Sequence, residues 1–366
     1  MKNIIFYQPL FIDEATDKDS GSLVRPELIK HAFIEYGYNI IYINGSISDR
    51  RKKIISAIKN IKKIEFMYIE STNIPFCLSN HKHWPISFGD FKNILLVKKY
   101  MKVGIFYRDA YWRYKNFRSQ VGFLKSIILK ILYYFELIFL KKYVNIIFVP
   151  NIAFSKFLPK IYGNAKYIPL PPGCDKNVKI LFEKPKLNCI NLLYSGNISN
   201  YEYCINGLLK VIQKIDKVKL TINTNKKAFN KYIKYNPLLK VLQMKKIVDV
   251  TFSSYNETEK LLKKYQLAII YNNIDVNIRK IYMPIKLFNY ISMGLPIIAE
   301  RNSGYGCFIE KNKIGWTFSN DQELETILLN LFNNQKYIIY AAERVKKVKN
   351  ENTWKERVKT IERYLK

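Results

Sequence analysis

Lys286 stands in the first turn of a segment that reads as a short helix, Met283 to Gly294 (MPIKLFNYISMG). A cation is out of place there. The free N–H groups of a first turn are the positive end of the helix dipole, and a lysine beside them costs a few tenths of a kcal/mol up to about 1. The position makes sense when an anion lies between the ammonium and those N–H groups, and a phosphate at a helix N-terminus is such an anion. Asn289 shares the face of Lys286 one turn on. Arg279, upstream, offers a guanidinium suited to two-point contact with a diphosphate. Together these residues could hold a diphosphate and neutralise its charge as it leaves. Alternatively, Lys286 and Arg279 are solvated surface cations of an ordinary strand–helix unit.

Two carboxylates follow strand-like segments: Glu70 in IESTNIPF and Asp109 in FYRDAYWRY. A carboxylate so placed can take the proton of an attacking hydroxyl. Asp109 is the candidate base and Glu70 its rival. The structural alternatives are that Asp109 pairs with Arg108 or Arg113 or caps a helix, and that Glu70 is a solvated strand end. Ser20, Gly21 and Ser22 open the first helix, with Arg25 in its first turn, and this repeats the anion-cradling arrangement. Plain capping by Ser22 explains the serine equally. Gly196 and Asn197, in YSGNIS, form a turn where the missing side chain lets a ligand approach the backbone.

The elements that must position these residues alternate in type. Residues 3–7 read as a strand, Leu23 to Tyr36 as a helix stopped by Gly37, and YNIIYI as a second strand. IEFMYIE (64–70), KVGIFY (102–107) and NIIFVP (145–150) are further strands. INLLYS, VKLTINT, a segment at 248–252, QLAIIY and LPIIA form a second series. Strands alternating with helices predict parallel, doubly wound sheets. In such sheets ligands bind beyond the carboxyl ends of the strands, which is where Glu70, Asp109, Asn197 and the segment from Tyr271 to Arg279 lie. The Pro169–Gly173 turn separates the two series. The predicted division is residues 1–168, a linker at 169–188, a second domain over 189–345, and a C-terminal helix over 346–366.

The chain has 366 residues and a formal charge of +32. Residues 1–166 carry 27 Lys/Arg against 12 Asp/Glu and the remainder 34 against 17, so the excess spans both halves and is not a tail. Lysine, isoleucine and asparagine bias supplies much of the charge, and attraction to an anionic membrane, at about 1 kcal/mol per nearby basic residue, accounts for the rest. No nucleic-acid-binding module is evident, so no nucleic-acid partner is expected. The five cysteines are scattered, as in a reducing compartment. His81 and His83 flank Trp84 with no third histidine near, so neither a zinc site nor any other metal site is expected. The chain opens on a strand rather than a secretory signal, and no apolar run reaches the roughly eighteen residues of a membrane span. A cytoplasmic protein, peripheral at the inner membrane face, is the expectation.

The pattern P-x-K-L-F-x-Y-x-x-x-G-x-P-I-I-A at 284–299 resembles the nucleotide-sugar-binding domain of GT-B-fold glycosyltransferases. It is especially similar to bacterial capsule and exopolysaccharide transferases, including the xanthan-type and teichuronic-type glucuronosyltransferases. IPLPPGCD resembles the turn that ends the first domain in those enzymes. The resemblance implies two Rossmann-like domains facing a cleft, with a C-terminal helix crossing back to the first. It implies a UDP- or GDP-sugar donor held at Gly196, Asn197, Arg279, Lys286 and Asn289. The acceptor would be a surface polysaccharide or a polyprenyl-linked saccharide, and neither metal nor cofactor would be needed. Asp109 matches the position of the base. One departure counts. Many retaining members carry two glutamates eight positions apart, and here those positions hold Ile281 and Asn289. That favours the glucuronosyltransferase-like branch and an inverting mechanism. A nucleotide-sugar epimerase on the same fold, and a non-catalytic basic membrane- or nucleic-acid-binding protein, are the alternatives.

Phe123 to Lys142 reads as a basic helix with a wide apolar face of Ile127, Ile128, Ile131, Leu132, Phe135, Ile138 and Phe139. That face could lie in a membrane interface or cover the first sheet.

Overall fold

The computed structural model describes residues 2–9, 21–79, 86–178, 188–198, 201–253 and 264–366. Ser20, His81, His83 and Trp84 lie outside them, as do the side chains of Gly21 and Ser22 and residues 179–187 of the expected linker. The chain divides into two compact units, Met1–Pro172 with Trp354–Lys366, and Gly173–Thr353.

The first unit is built on a six-stranded parallel sheet. Its strands are β1 (Lys2–Tyr7), β2 (Tyr38–Ile43), β3 (Ile64–Glu70), β4 (Lys102–Phe106), β5 (Ile146–Val149) and β6 (Lys166–Pro169), in the order β2-β1-β3-β4-β5-β6. The second unit repeats the scheme with β7 (Ile190–Ser195), β8 (Val218–Asn223), β9 (Val248–Thr251), β10 (Leu267–Ile269), β11 (Ile297–Glu300) and β12 (Gly315–Phe318), in the order β12-β11-β10-β7-β8-β9. The doubly wound α/β class predicted from the alternation is the one observed. The central strands β5, β10 and β11 are buried along their whole length, as expected of strands covered on both faces.

Two strands escape the sequence pattern, β6 and β12. Both are edge strands, and their burial is partial. An edge strand needs fewer apolar residues, so KYIP and GWTF carry little signal. The first helix runs Gly21–Glu35, so Ser22 lies inside its first turn rather than at its cap. Gly37, at φ +99°, follows that helix, a backbone conformation open to glycine.

Within the first unit, the helix Trp354–Leu365 packs on the helix Gly21–Glu35 and on β4. Gly104 makes room for it: a β carbon there would stand 2.7 Å from Leu365 Cδ1. The Tyr38 hydroxyl donates to Glu362 at 2.7 Å. A fully buried ion pair lies under the same sheet. Arg50 donates from Nε and Nη2 to the two oxygens of Asp90, at 2.9 and 2.8 Å. Ser79 and Tyr7 hydroxyls also donate to Asp90.

The helix Phe123–Tyr143 buries a different side from the one its wheel suggests. Leu129, Tyr133, Leu137 and Leu140 are buried, whereas Leu124, Ile127, Ile128, Ile131, Phe135 and Ile138 are exposed. The face read from the sequence as possible sheet cover is therefore largely open to solvent. Of its members only Phe139 is buried, since the helix is apolar on both sides and tertiary packing chose between them.

Candidate functional site

In the second unit the chain direction across the sheet reverses between β7 and β10. The carboxyl ends of strands at such a reversal open a crevice for ligands. Tyr290 fastens this point. Its buried hydroxyl accepts the Ser195 N–H at 2.7 Å and donates toward the Ile269 carbonyl at 3.3 Å, so one side chain spans the ends of β7 and β10. Beyond β7 the chain turns at Gly196, whose φ of +146° excludes most side chains.

Lys286 comes to this place from the helix Ile285–Met293. Pro284 is the cap residue of that helix and not its first member, because its ψ of 143° is still extended. Gly294 ends the helix at φ +80°, a left-handed stop that glycine adopts without strain. The Lys286 ammonium lies 5.1 Å over the Tyr194 ring and 5.8 Å over that of Tyr203. Half-buried, it makes no ion pair among the described residues. Burial pushes its pKa down to about 8. Lys286 and Asn289 line one small polar cavity of about 120 Å³ with Ser195, Asn223, Ser253 and Tyr290.

Glu300, at the carboxyl end of β11, accepts the Asn272 N–H and the Tyr305 hydroxyl at 2.5 and 2.7 Å. Burial raises its pKa. Glu300 is the shared electrostatic neighbour of two cations: its charge supports that of Lys286, and the charge of Arg279 supports its own. Arg279, in the helix Val276–Ile281, keeps a buried Nε without a hydrogen-bond partner among the described residues. Such a donor is costly to leave unmade. Asn197 is exposed and accepts the Tyr194 hydroxyl at its carbonyl, 2.9 Å away.

In the first unit, Glu70 is fully buried at the end of β3. It accepts Arg25 Nε at 3.3 Å and the Tyr68 hydroxyl at 2.7 Å. Arg25 is buried with its guanidinium carbon 3.5 Å from the Phe106 ring centre. Asp109, half-buried past β4, accepts the Ala110 N–H at 2.7 Å and the Tyr114 hydroxyl at 2.9 Å. Burial raises its pKa; these hydrogen bonds and the Arg108 charge oppose the rise. Glu70 is thus held in an internal ion pair, while Asp109 retains some contact with solvent.

No protein-family model and no curated protein matches the chain. Solved structures match it along nearly its whole length. Sucrose-phosphate synthase from Thermosynechococcus elongatus aligns at a TM-score of 0.62 and 10% identity, over 99% of this chain and 98% of that one. Anabaena Alr3699/HepE, in complex with UDP, aligns at 0.60 and 9% identity, over 100% and 99%. The fold is GT-B. WaaG, a glycosyltransferase involved in lipopolysaccharide biosynthesis, shares this GT-B arrangement at a TM-score of 0.58 and 11% identity, over 99% of each chain.

Within the GT-B frame, Gly196, Lys286 and Asn289 meet at the second unit's strand reversal, and Glu300 is an electrostatic neighbour of both Lys286 and Arg279. The sequence reading missed Glu300, Tyr194, Ser195, Asn223 and Tyr290. Glu300 left a signal, a charge closing the apolar run LPIIAE at a strand's carboxyl end. The others left none, since their roles depend on which strands become neighbours.

Proposed function

We propose that this chain is a glycosyltransferase that moves a sugar from a UDP- or GDP-sugar to a saccharide acceptor. The observation that carries the reading is Lys286: a half-buried ammonium without an ion-pair partner among the described residues, in a helix's first turn, beside Gly196 at the strand reversal. A diphosphate there would accept from the ammonium and from the free N–H groups of the turn. Its charge grows as the glycosidic bond breaks, and a fixed cation in a partly desolvated site stabilises that growth more than it stabilises the ground state. Arg279 is the second cation, and Asn289 hydrogen-bonds the diphosphate or a ribose hydroxyl. Anabaena Alr3699/HepE, with the same fold, has been solved with UDP-glucose, which supports a nucleotide-sugar donor.

Asp109 serves as general base, taking the proton of the acceptor hydroxyl as that oxygen attacks the anomeric carbon. The missing glutamates at Ile281 and Asn289 support inversion in a single displacement. The acceptor is a surface-polysaccharide or lipid-linked saccharide, reached at the cytoplasmic face of a membrane. Arg25 and Glu70 shape the acceptor side of the first unit.

Isothermal calorimetry of the whole chain against UDP, GDP and their sugar conjugates tests the reading. Micromolar binding of one nucleotide, lost in Lys286→Ala, is expected. Silence across the panel would refute it.

A further inference from the structure

The solvent-facing side of the helix Phe123–Tyr143 is the least explained surface of the first unit. Leu124, Ile127, Ile128, Ile131, Phe135 and Ile138 recur at three- and four-residue steps, and so form one stripe. Each is between 41% and 74% exposed. Phe88, 50% exposed, extends the stripe sideways, with its ring 6.0 Å from that of Phe135. A soluble monomer seldom leaves so long a contiguous apolar patch uncovered unless something binds it.

The charges around the stripe identify the partner. Lys125, Lys130 and Lys142 on the same helix are exposed, as are Arg118 just before it and Lys92 on the adjoining helix Gly89–Lys98. The two helices hold two acidic residues, Glu136 and Asp90, and both are buried. The surface is therefore apolar and cationic, with no exposed carboxylate on either helix. A second copy of this chain would bring like charges together at a two-fold contact, and the net charge of +32 opposes it further. An anionic bilayer satisfies both features: the stripe enters the headgroup–acyl boundary while the lysines reach the phosphates. No helix among the described residues is long and apolar enough to cross a membrane, so the helix would lie in the interface plane.

We propose that this face docks the first unit on an anionic lipid bilayer. The proposal stands independently of the transfer reaction. Its test is co-sedimentation of the full chain with vesicles containing phosphatidylglycerol, against vesicles of phosphatidylcholine alone. The variants are the triple Leu124→Gln, Ile128→Gln, Ile131→Gln and the single Ile131→Glu, with folding checked by circular dichroism. All three positions are exposed, so the fold should persist. Wild type should partition to the anionic vesicles, and the triple variant should lose about tenfold or more of that partition. Raised salt should weaken wild-type binding without abolishing it, since the apolar part is not screened. Equal binding of wild type and the folded variants would overturn the proposal by assigning the attraction to diffuse charge. So would absence of wild-type binding, or a wild-type dimer in vesicle-free sedimentation that the variants dissociate. Should the triple variant fail to fold, Ile131→Glu decides by the same criteria.

Discussion

Lys286 and Gly196 share one small space: a β carbon built on Gly196 would come within 3.0 Å of the Lys286 ammonium nitrogen. The glycine therefore does more than permit a turn. It leaves the lysine room beside the carboxyl end of β7, where its charge can meet a ligand rather than a side chain. Under the proposed function, the donor diphosphate would be the counter-ion of the Lys286 ammonium beside Gly196 and the Tyr194 ring.

Lys286→Met should stabilise the free protein while removing nucleotide binding. Burial lowers the lysine's folded pKa from 10.5 to about 8. The unfolded chain then binds the proton more tightly, so this group destabilises the fold below pH 8 and the penalty fades as pH rises toward 10.5. Partial solvent contact reduces the effect, and the expected gain at pH 7 is about 1–2 kcal/mol. Denaturant titrations at pH 7 and pH 10 measure it. A larger gain at pH 10 than at pH 7 would contradict the assignment.

Gly196→Ala should weaken the nucleotide more than it weakens the fold. At φ +146° a side chain is strained, at a cost of order 1–3 kcal/mol. The added methyl must also displace the ammonium. Calorimetry should show nucleotide affinity falling at least about tenfold while a cooperative melt persists. Unchanged affinity would mean the ligand does not approach Gly196.

Asp109→Asn should lower turnover by about 10²–10⁴-fold and leave nucleotide binding intact. Glu70→Gln should act differently, since Glu70 is buried against Arg25: it should lower stability while leaving nucleotide affinity unchanged. The pH profile of kcat/KM carries both limits. Asp109 must be ionised, and its raised pKa puts the acidic limb above the usual carboxylate range. Lys286 must be protonated, so activity should fall above about 8. A flat profile across the alkaline range would remove Lys286 from the mechanism.

Asp90→Asn should be among the most destabilising single changes in the first unit. Asp90 and Arg50 are both fully buried, and removing one charge strands the other, at about 3–5 kcal/mol. A loss below about 1 kcal/mol in urea titration would show that water reaches the pair.

Lys286 was legible from sequence because its signal is local: a cation in a helix's first turn, with a glycine stop and an apolar strand beyond. The places of Gly196 and Asp109, each just past a strand of recognisable pattern, were legible for the same reason. Both sheets followed from the alternation of apolar strands with helices, while the edge strands β6 and β12 did not, because half-exposed strands carry little pattern. Tyr290, Asn223 and Glu300 became part of the site only through tertiary neighbours. Tyr290 reads as one more aromatic in a core helix until β7 and β10 lie side by side.

The two parallel sheets and the place of Lys286 in a helix's first turn could be read along the chain, since backbone periodicity and helix signals act over a few residues. Which strands meet, which charged groups surround Glu300, and which apolar side of the helix Phe123–Tyr143 faces water came only with folding. Those outcomes depend on competition between surfaces far apart in the chain, which no local pattern records.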